Sequence, residues 1–555
     1  MSISLPFDPD AIAAAALLPP TEEVNGHTVI SEDEWASLEA VKVPPDARPI
    51  IKVQAGRVDL LATEAETAIR DQGIEVYQRG RELVRPAQQE VPAAKGRMTI
   101  SAGMAAVSRP GMIDVLSRAA DWQKFDGRAK KHVACDPPGI VADIILSRVG
   151  QWTLPSVAGV ITTPTLRPDG SLLHQPGYDP ETRLYQIMDP GLMPSYIPDA
   201  PTRDEAEAAL RTLDGLLDEF PFVSEVARSV ALSAIITPVV RGAVSVAPLH
   251  AIRANTAGTG KSYMADVASA ITTGRPCPVV AVSNKPEETE SRLIGLLLAA
   301  FPLISIDNVN GELGGDLLCQ AVERPTVRVR RLGASDIFEI ESRATFYATG
   351  NGLRVKGDMT RRSLVCDLDA GMERPEQREF KHNPVDEVLA DRGKYIAAAL
   401  IVVRAYITAG RPNRLAALAS FEDWSNNVRS ALVWLGCADP CDTIEVARED
   451  DPELASLREV ITAWESDIGV GFPMTVKQLV EKANERTETI MREPTEYAAS
   501  NFRDALIGIA GQRSEIDNRR LGNWIRSVEG RIVNGLRIKR NGVDPHTKSQ
   551  RWVIV

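Results

Sequence analysis

The chain has 555 residues, 44% of them apolar and 25% charged, with a net charge of -12. This is the composition of an ordinary soluble globular protein, with length for about three domains. The acidic balance excludes a surface that coats duplex DNA along its whole extent, because such proteins are basic overall. Any nucleic-acid contact is therefore confined to a groove, a pore or one small domain.

Residues 1–48 are rich in Pro, Ala and acidic residues and read as a flexible leader, with Ser31–Val41 able to form a short helix. They do not read as a secretory signal: Asp8 and Asp10 precede the apolar run Ala11–Leu18, and a basic segment is missing. Residues 49–200 read as a small α/β domain. IIKVQ and IEVYQRG alternate like strands, VDLLATEAETAIRDQ has helical periodicity, and PDG, PGYD and DPET are turn signals. Two helices are expected between Thr202 and Val240. PLHAIRAN then reads as a strand running into a glycine-rich loop, and SYMADVASAITT as the helix leaving it. Residues 277–370 alternate strands and helices as in a doubly wound sheet, and residues 385–435 are helical. Residues 450–555 form a separate helical segment that ends in two strand-like runs, LRIKR and RWVIV. The longest apolar stretches, Ile294–Ile306 and Tyr395–Val403, are too short to span a bilayer, so no membrane contact is expected. The cysteines, Cys135, Cys277, Cys319, Cys366, Cys437 and Cys441, have no zinc-site spacing and suit free thiols in a reducing cytoplasm.

The loop is the first functional signal. Strand, loop and helix are the context that a phosphate cradle requires, and RANTAGTGKSYM nearly fits G-x-x-x-x-G-K-[ST]. Backbone N–H groups of Asn255, Thr256, Ala257, Gly258, Thr259 and Gly260, at the helix N-terminus that Lys261, Ser262 and Tyr263 begin, would face phosphates. Lys261 would reach the β- and γ-phosphates of ATP, and Ser262 would ligate Mg²⁺. Asn255 stands where the pattern has its first glycine; Asn tolerates positive φ, so the cradle is retained. LISIDN reads as a buried parallel strand that delivers Asp307 to the ligand-binding edge of the sheet, as a second Mg²⁺ ligand. ATFYATGN is a further strand, ending in Asn351, a residue suited to sense the γ-phosphate and orient water. In MTRRSLV, Arg361 or Arg362 could act as an arginine finger. A glutamate to activate water is missing after Asp307. Asn308 occupies that position, and Glu287, Glu288, Glu312 or water-positioning by Asn308 remain the alternatives.

Loop, LISIDN, ATGN and TRR, in this order and within about 110 residues, resemble a AAA+-type P-loop ATPase. They resemble most the superfamily 3 helicases, in particular the helicase part of primase–helicases from phages, plasmids and integrated elements, the group related to the poxvirus primase–helicase. The resemblance runs from Thr202 to Pro412. It is weaker upstream, in DPPGIVADIILSRVGQW, LPSVAGVITTPTLRPDGS and PGYDPET. It implies Lys261 and Ser262 as Walker A residues, Asp307 as Walker B, Asn351 as sensor 1 and Arg361 or Arg362 as the finger. It also implies an α/β AAA+ core over 201–412, a helical connector over 413–449 and a homo-hexameric ring. A primase module is not recognisable, so a separate primase would be a partner.

Two segments could touch DNA. In ERPTVRVRRLGASDIFEI, strand-like runs carrying Arg328, Arg330 and Arg331 flank LGASD; related ring helicases use such a hairpin to grip single-stranded DNA in the pore. The alternative is an exposed strand pairing with Glu339 and Glu341. From Arg513 onward there are ten basic and four acidic residues, a local charge of +6, which is the footprint of a duplex-binding module. Helix 517–529 followed by strand, loop and strand resembles a winged helix over 450–555. Arg519, Arg520 and Arg526 would face the groove, with Arg537, Lys539 and Arg540 on the wing. His132, His174 and His382 form no pattern, and Trp122, Trp152, Trp434 and Trp524 read as core or hinge residues. The expectation is an ATP-dependent DNA helicase of mobile-element replication, acting in the cytoplasm. The alternative is an ATP-switched initiator that melts duplex origin DNA without processive unwinding.

Overall fold

The structure, a computed structural model, describes residues 48–92, 98–189, 192, 195–282, 285–330, 337–486, 497–513 and 515–555, with Glu23–Val24 and His27–Thr28. The expected helix Ser31–Val41 lies outside the described residues, as do Arg331 and LGASD. The chain is mixed α/β and forms two compact units. One comprises Met1–Asn310, Asp316–Gly352 and Leu364–Cys441; the other comprises Gly311–Gly315, Leu353–Ser363 and Asp442–Val555.

The first unit begins with β1 (Ile50–Val53), α1 (Val58–Asp71), α2 (Arg109–Ala119), β2 (Asp121–Asp126), β3 (Lys131–Ala134) and α3 (Gly139–Ser147). β1 pairs with β2 in parallel and β2 with β3 antiparallel. In α1, Leu61, Ala62, Ala65, Ala68 and Ile69 are buried, which is the stripe its periodicity implies. α2 starts where Ser108 Oγ accepts the Gly111 N–H at 3.2 Å, with proline in its first turn. Between α1 and α2 a long hairpin joins Glu82–Pro92 to Met98–Ala106. Sequence reading missed it, because Pro86 and Pro92 interrupt the strand signal.

The larger part of this unit holds α4 (Arg203–Asp214), α5 (Glu225–Val239), β4 (Leu249–Ala254), α6 (Lys261–Thr273), β5 (Val279–Ala281), α7 (Pro286–Leu298), β6 (Leu303–Asp307), β7 (Thr326–Arg330), β8 (Ile337–Glu341), β9 (Thr345–Asn351), β10 (Ser363–Leu368) and α8 (Arg392–Thr408). A five-stranded sheet has the order β5-β6-β9-β4-β10. The pairs β5–β6, β6–β9 and β4–β9 are parallel. LISIDN and ATFYATGN are buried here, as continuous apolar runs in a parallel sheet should be. Register brings Ala254 opposite Asn351 and Ile306 opposite Ala348, so β4, β6 and β9 end side by side. That edge carries Asp307, Asn351 and the start of the loop. Residues 385–435 are not continuously helical: Gly410 at φ 80° and Pro412 follow α8, and helix resumes at Glu422.

The second unit holds α9 (Pro452–Asp467), β11 (Met474–Thr475), α10 (Val476–Ala483), α11 (Ser500–Ala510), α12 (Asn518–Val528), β12 (Ile532–Val533), β13 (Leu536–Val543) and β14 (Gln550–Ile554). Its sheet has the order β11-β14-β13-β12. Trp464, Phe502, Leu521, Ile525 and Trp552 lie in one core. Thr475 and Gln478 form a capping box at α10, and Asp517 caps α12. This unit also contains the parallel pair Glu312–Leu313 and Arg354–Val355 and the turn of helix Gly357–Arg362.

Candidate functional site

The loop before α6 turns on two glycines. Gly258 and Gly260 have φ of 76° and 95°, in the left-handed region that favours glycine. Space makes the same demand: a Cβ on Gly258 would stand 2.8 Å from the Glu376 backbone nitrogen, and one on Gly260 3.2 Å from the Phe220 ring. Asn255 is different. It is not among the positive-φ residues of the chain, so the expected reason for tolerating it is corrected: the loop entrance does not require glycine geometry at all.

Lys261 lies at the start of α6, with its ammonium donating to the Thr256 carbonyl at 2.8 Å and the Thr259 hydroxyl at 3.0 Å. Burial lowers its pKa, opposed by the nearby Asp307 carboxylate. Ser262 Oγ donates to Asp307 Oδ1 at 2.9 Å. The Thr349 hydroxyl donates to the same oxygen and lies 3.4 Å from Ser262 Oγ. Sequence reading did not single out Thr349. A signal was present, because residues two apart on a strand share a face, so Thr349 had to point where Asn351 points. The buried amide oxygen of Asn351 has no hydrogen-bond partner. These groups line a cleft of about 430 Å³ together with Asn308.

Asn308 adopts φ 57°. The chain must leave β6 in a left-handed turn there, and Asn accepts that conformation far better than Glu does. The missing glutamate therefore has a local backbone reason. Glu287 and Glu288 are in the first turn of α7 and are not among the cleft's lining residues. Glu312 belongs to the second unit, where it pairs with Lys356 at 2.7 Å.

A second cavity, of about 500 Å³, adjoins the loop on the Thr259 side. Phe220, Tyr263 and Phe380 give it an aromatic lining, and His382 is at its surface. Phe220 and Tyr263 are stacked, with centroids 6.4 Å apart and planes inclined by 25°. The Glu219 carboxylate accepts the backbone N–H groups of Lys381 and His382 at 3.0 and 2.9 Å, which holds its pKa below the usual carboxylate range. Of these residues only Tyr263 was expected. Phe220 and Phe380 are 160 positions apart in sequence, and no local pattern links them.

Arg328 faces Glu339 across the β7–β8 pair, 2.8 Å away on an exposed surface, which is the pairing alternative raised by sequence. Arg330 is exposed at the end of β7. Glu341 pairs with Arg183 and Arg343. Arg361 and Arg362, in the second unit, are both held by Asp358. They differ in burial: the Arg361 side chain is 37% exposed and that of Arg362 5%.

On α12, Leu521, Ile525 and Val528 are buried while Arg519, Arg520 and Arg526 are exposed. Arg520 donates to the Gly511 carbonyl at 2.9 Å and Arg526 to Asn523 at 2.6 Å. Lys539 is exposed on β13, and Arg537 is partly buried. Arg540 pairs with Glu529 at 2.9 Å and lies over the Trp552 ring. Arg531 and Arg551 pair with Glu453 and Asp544.

Among the described residues no group of three or more His, Cys, Asp or Glu side chains could hold a metal. None of their helices is long and apolar enough to cross a membrane. No protein-family model matches the sequence. No curated protein matches it either. In structure the chain is similar to the A-form apo structure of the NrS-1 C-terminal region, with 13% identity and a TM-score of 0.33 over 89% of this chain and 99% of that one. A likeness of that size carries no argument about activity.

Proposed function

We propose that this chain is an ATP-dependent DNA helicase, built on an AAA+-type P-loop core that assembles as a hexameric ring and followed by a winged-helix-like DNA-binding domain. One observation carries the reading. Ser262 and Asp307, from elements 45 residues apart, meet at 2.9 Å beside a loop with two left-handed glycines. Mg²⁺ binds oxygen at about 2.0–2.1 Å in octahedral geometry, so two adjacent ligand oxygens stand about 2.9 Å apart. The pair fits one edge of that octahedron. Mg²⁺ would supply charge neutralisation between the phosphates. Thr349 would orient Asp307 through its hydrogen bond to Oδ1, as outer-shell groups do. The loop N–H groups and the α6 N-terminus would bind the phosphates, and Lys261 would exchange its two loop acceptors for phosphate oxygens. The unpaired Asn351 oxygen would accept a hydrogen bond from the attacking water and aim it. The aromatic cavity beside Thr259 suits a nucleobase.

Arg361, the more exposed of the two arginines, is the better finger. Arg328 and Arg330 would meet single-stranded DNA, and α12 with the β13–β14 wing would meet duplex. The second reading is an ATP-switched initiator that melts origin DNA without processive unwinding. Asn308 favours it: the cleft holds no carboxylate beyond Asp307 among its lining residues, and an amide is a poor base. Steady-state ATP hydrolysis with and without single-stranded DNA, with Lys261→Ala as the blank, tests both. DNA-stimulated turnover that Lys261→Ala lacks supports the helicase. Tight ATP binding with slow, DNA-indifferent turnover supports the switch.

A further inference from the structure

The β1–β2–β3 sheet is covered on one face only by the unit's helices. Ile51 and Trp122 point into the core with α1, α2 and α3. Alternation and register put Ile50, Lys52, Asp121, Gln123, Phe125, His132 and Ala134 on the opposite face. Ile50 is 57% and Phe125 59% exposed. Phe125 and His132 are directly opposed across β2–β3, their ring centroids 5.6 Å apart at 69°.

Cations frame this face. Lys52 lies on it, and Arg128 and Lys130 lie in the turn at its β2–β3 end, all exposed. The two nearby carboxylates each have a local partner. Asp121 pairs with Arg48 at 3.1 Å. Asp126 accepts the N–H groups of Arg128 and Ala129 at 2.8 and 3.1 Å. The positive end is built into a chain whose net charge is -12.

Single exposed apolar residues are ordinary. Two adjacent rings and an aliphatic side chain on a sheet face edged by lysines are not a protein–protein core, where lysine is depleted. They are the combination that holds unpaired nucleotides: bases stack on aromatic rings and backbone phosphates meet the cations. A duplex hides its base faces and could use only the cations.

We propose that the open β1–β2–β3 face is a stacking platform for single-stranded nucleic acid, with Phe125 and His132 as the base-stacking pair and Lys52, Arg128 and Lys130 as phosphate contacts. The site needs no nucleotide and goes beyond the ATPase reading.

The test is fluorescence anisotropy of a labelled oligothymidylate titrated with the full chain, without ATP, in an Arg328→Ala/Arg330→Ala background. Phe125→Ala should weaken binding about tenfold, the scale of one lost base stack, and Phe125→Trp should restore it. Arg128→Glu with Lys130→Glu should flatten the salt dependence. ATP hydrolysis without DNA should be unchanged in Phe125→Ala, which separates this site from the nucleotide cleft. Binding by Phe125→Ala within twofold of the parent would overturn the proposal. So would an undiminished affinity accompanied by a change in sedimentation, which would make the face a contact between copies.

Discussion

The cleft beside the glycine loop and the β7–β8 hairpin stand on different physical terms. In the cleft, Ser262, Asp307 and Thr349 hold one another at the end of a buried sheet. Strand register positions Asp307 and Thr349, and the first turn of α6 positions Ser262. On the hairpin, Arg328 is exposed and held by Glu339, a surface pair worth only about 0.2–1 kcal/mol. A phosphate could displace it. The difference teaches that a motif in a core fixes geometry, whereas a run of charges fixes only composition.

Lys261→Ala should break the cleft most severely, lowering ATP turnover about 10²–10³-fold, the scale of one lost preorganised donor. A kinetic assay that finds the variant within threefold of the parent would remove the cleft from the account. Thr349→Val should be milder, about 10–100-fold in Mg²⁺ requirement or turnover, as for an orienting outer-shell group. A magnesium titration of activity reads this, and an unchanged curve would show that Asp307 needs no support. Asn308→Gly should leave thermal stability intact, whereas Asn308→Val should cost about 1–2 kcal/mol because the left-handed turn penalises β-branching. Equal midpoints in thermal melts would refute the backbone reason given for Asn308.

On the hairpin side the expected effects are smaller. Glu339→Gln should release Arg328 and tighten single-stranded DNA binding a few-fold at low salt, with the gain vanishing as salt screens it. Weaker binding would mean that Glu339 holds the hairpin in its competent shape. The smallest effect concerns Asp544 in the second unit. It accepts the Thr547 and His546 N–H groups and pairs with Arg551, which holds its pKa well below the usual carboxylate range. Its stabilising contribution is therefore complete above the ordinary carboxylate pKa and disappears as the pH falls through the lowered value. Asp544→Asn should melt lower than the parent at neutral pH, and the gap should close in acid.

What was legible in the sequence follows this division. The strands LISIDN and ATFYATGN, the loop and α6 could be read because burial and backbone conformation write themselves locally as apolar runs and glycines. The pairing of the arginines could not. Arg540 and Arg551 meet Glu529 and Asp544 through the pairing of β13 and β14 and the packing of α12, and a count of +6 carries no such information. Two further features were hidden because they depend on distant pairing. One is the aromatic cavity from Phe220 and Phe380. The other is the assignment of Gly311–Gly315 and Leu353–Ser363 to the second unit, which places Arg361 and Arg362 there. The Asn255 reasoning failed for a simpler cause: tolerance of positive φ was invoked at a position that does not use it.

The central claim is that Ser262, Asp307 and the loop form a site for a magnesium-bound nucleoside triphosphate. Calorimetric titration of ATP into the full chain, with and without Mg²⁺, tests it most directly. Binding that strengthens with Mg²⁺ in the parent, loses that dependence in Asp307→Asn and disappears in Lys261→Ala is the predicted result. ATP binding that is indifferent to both substitutions, or no binding at millimolar ATP, would contradict it.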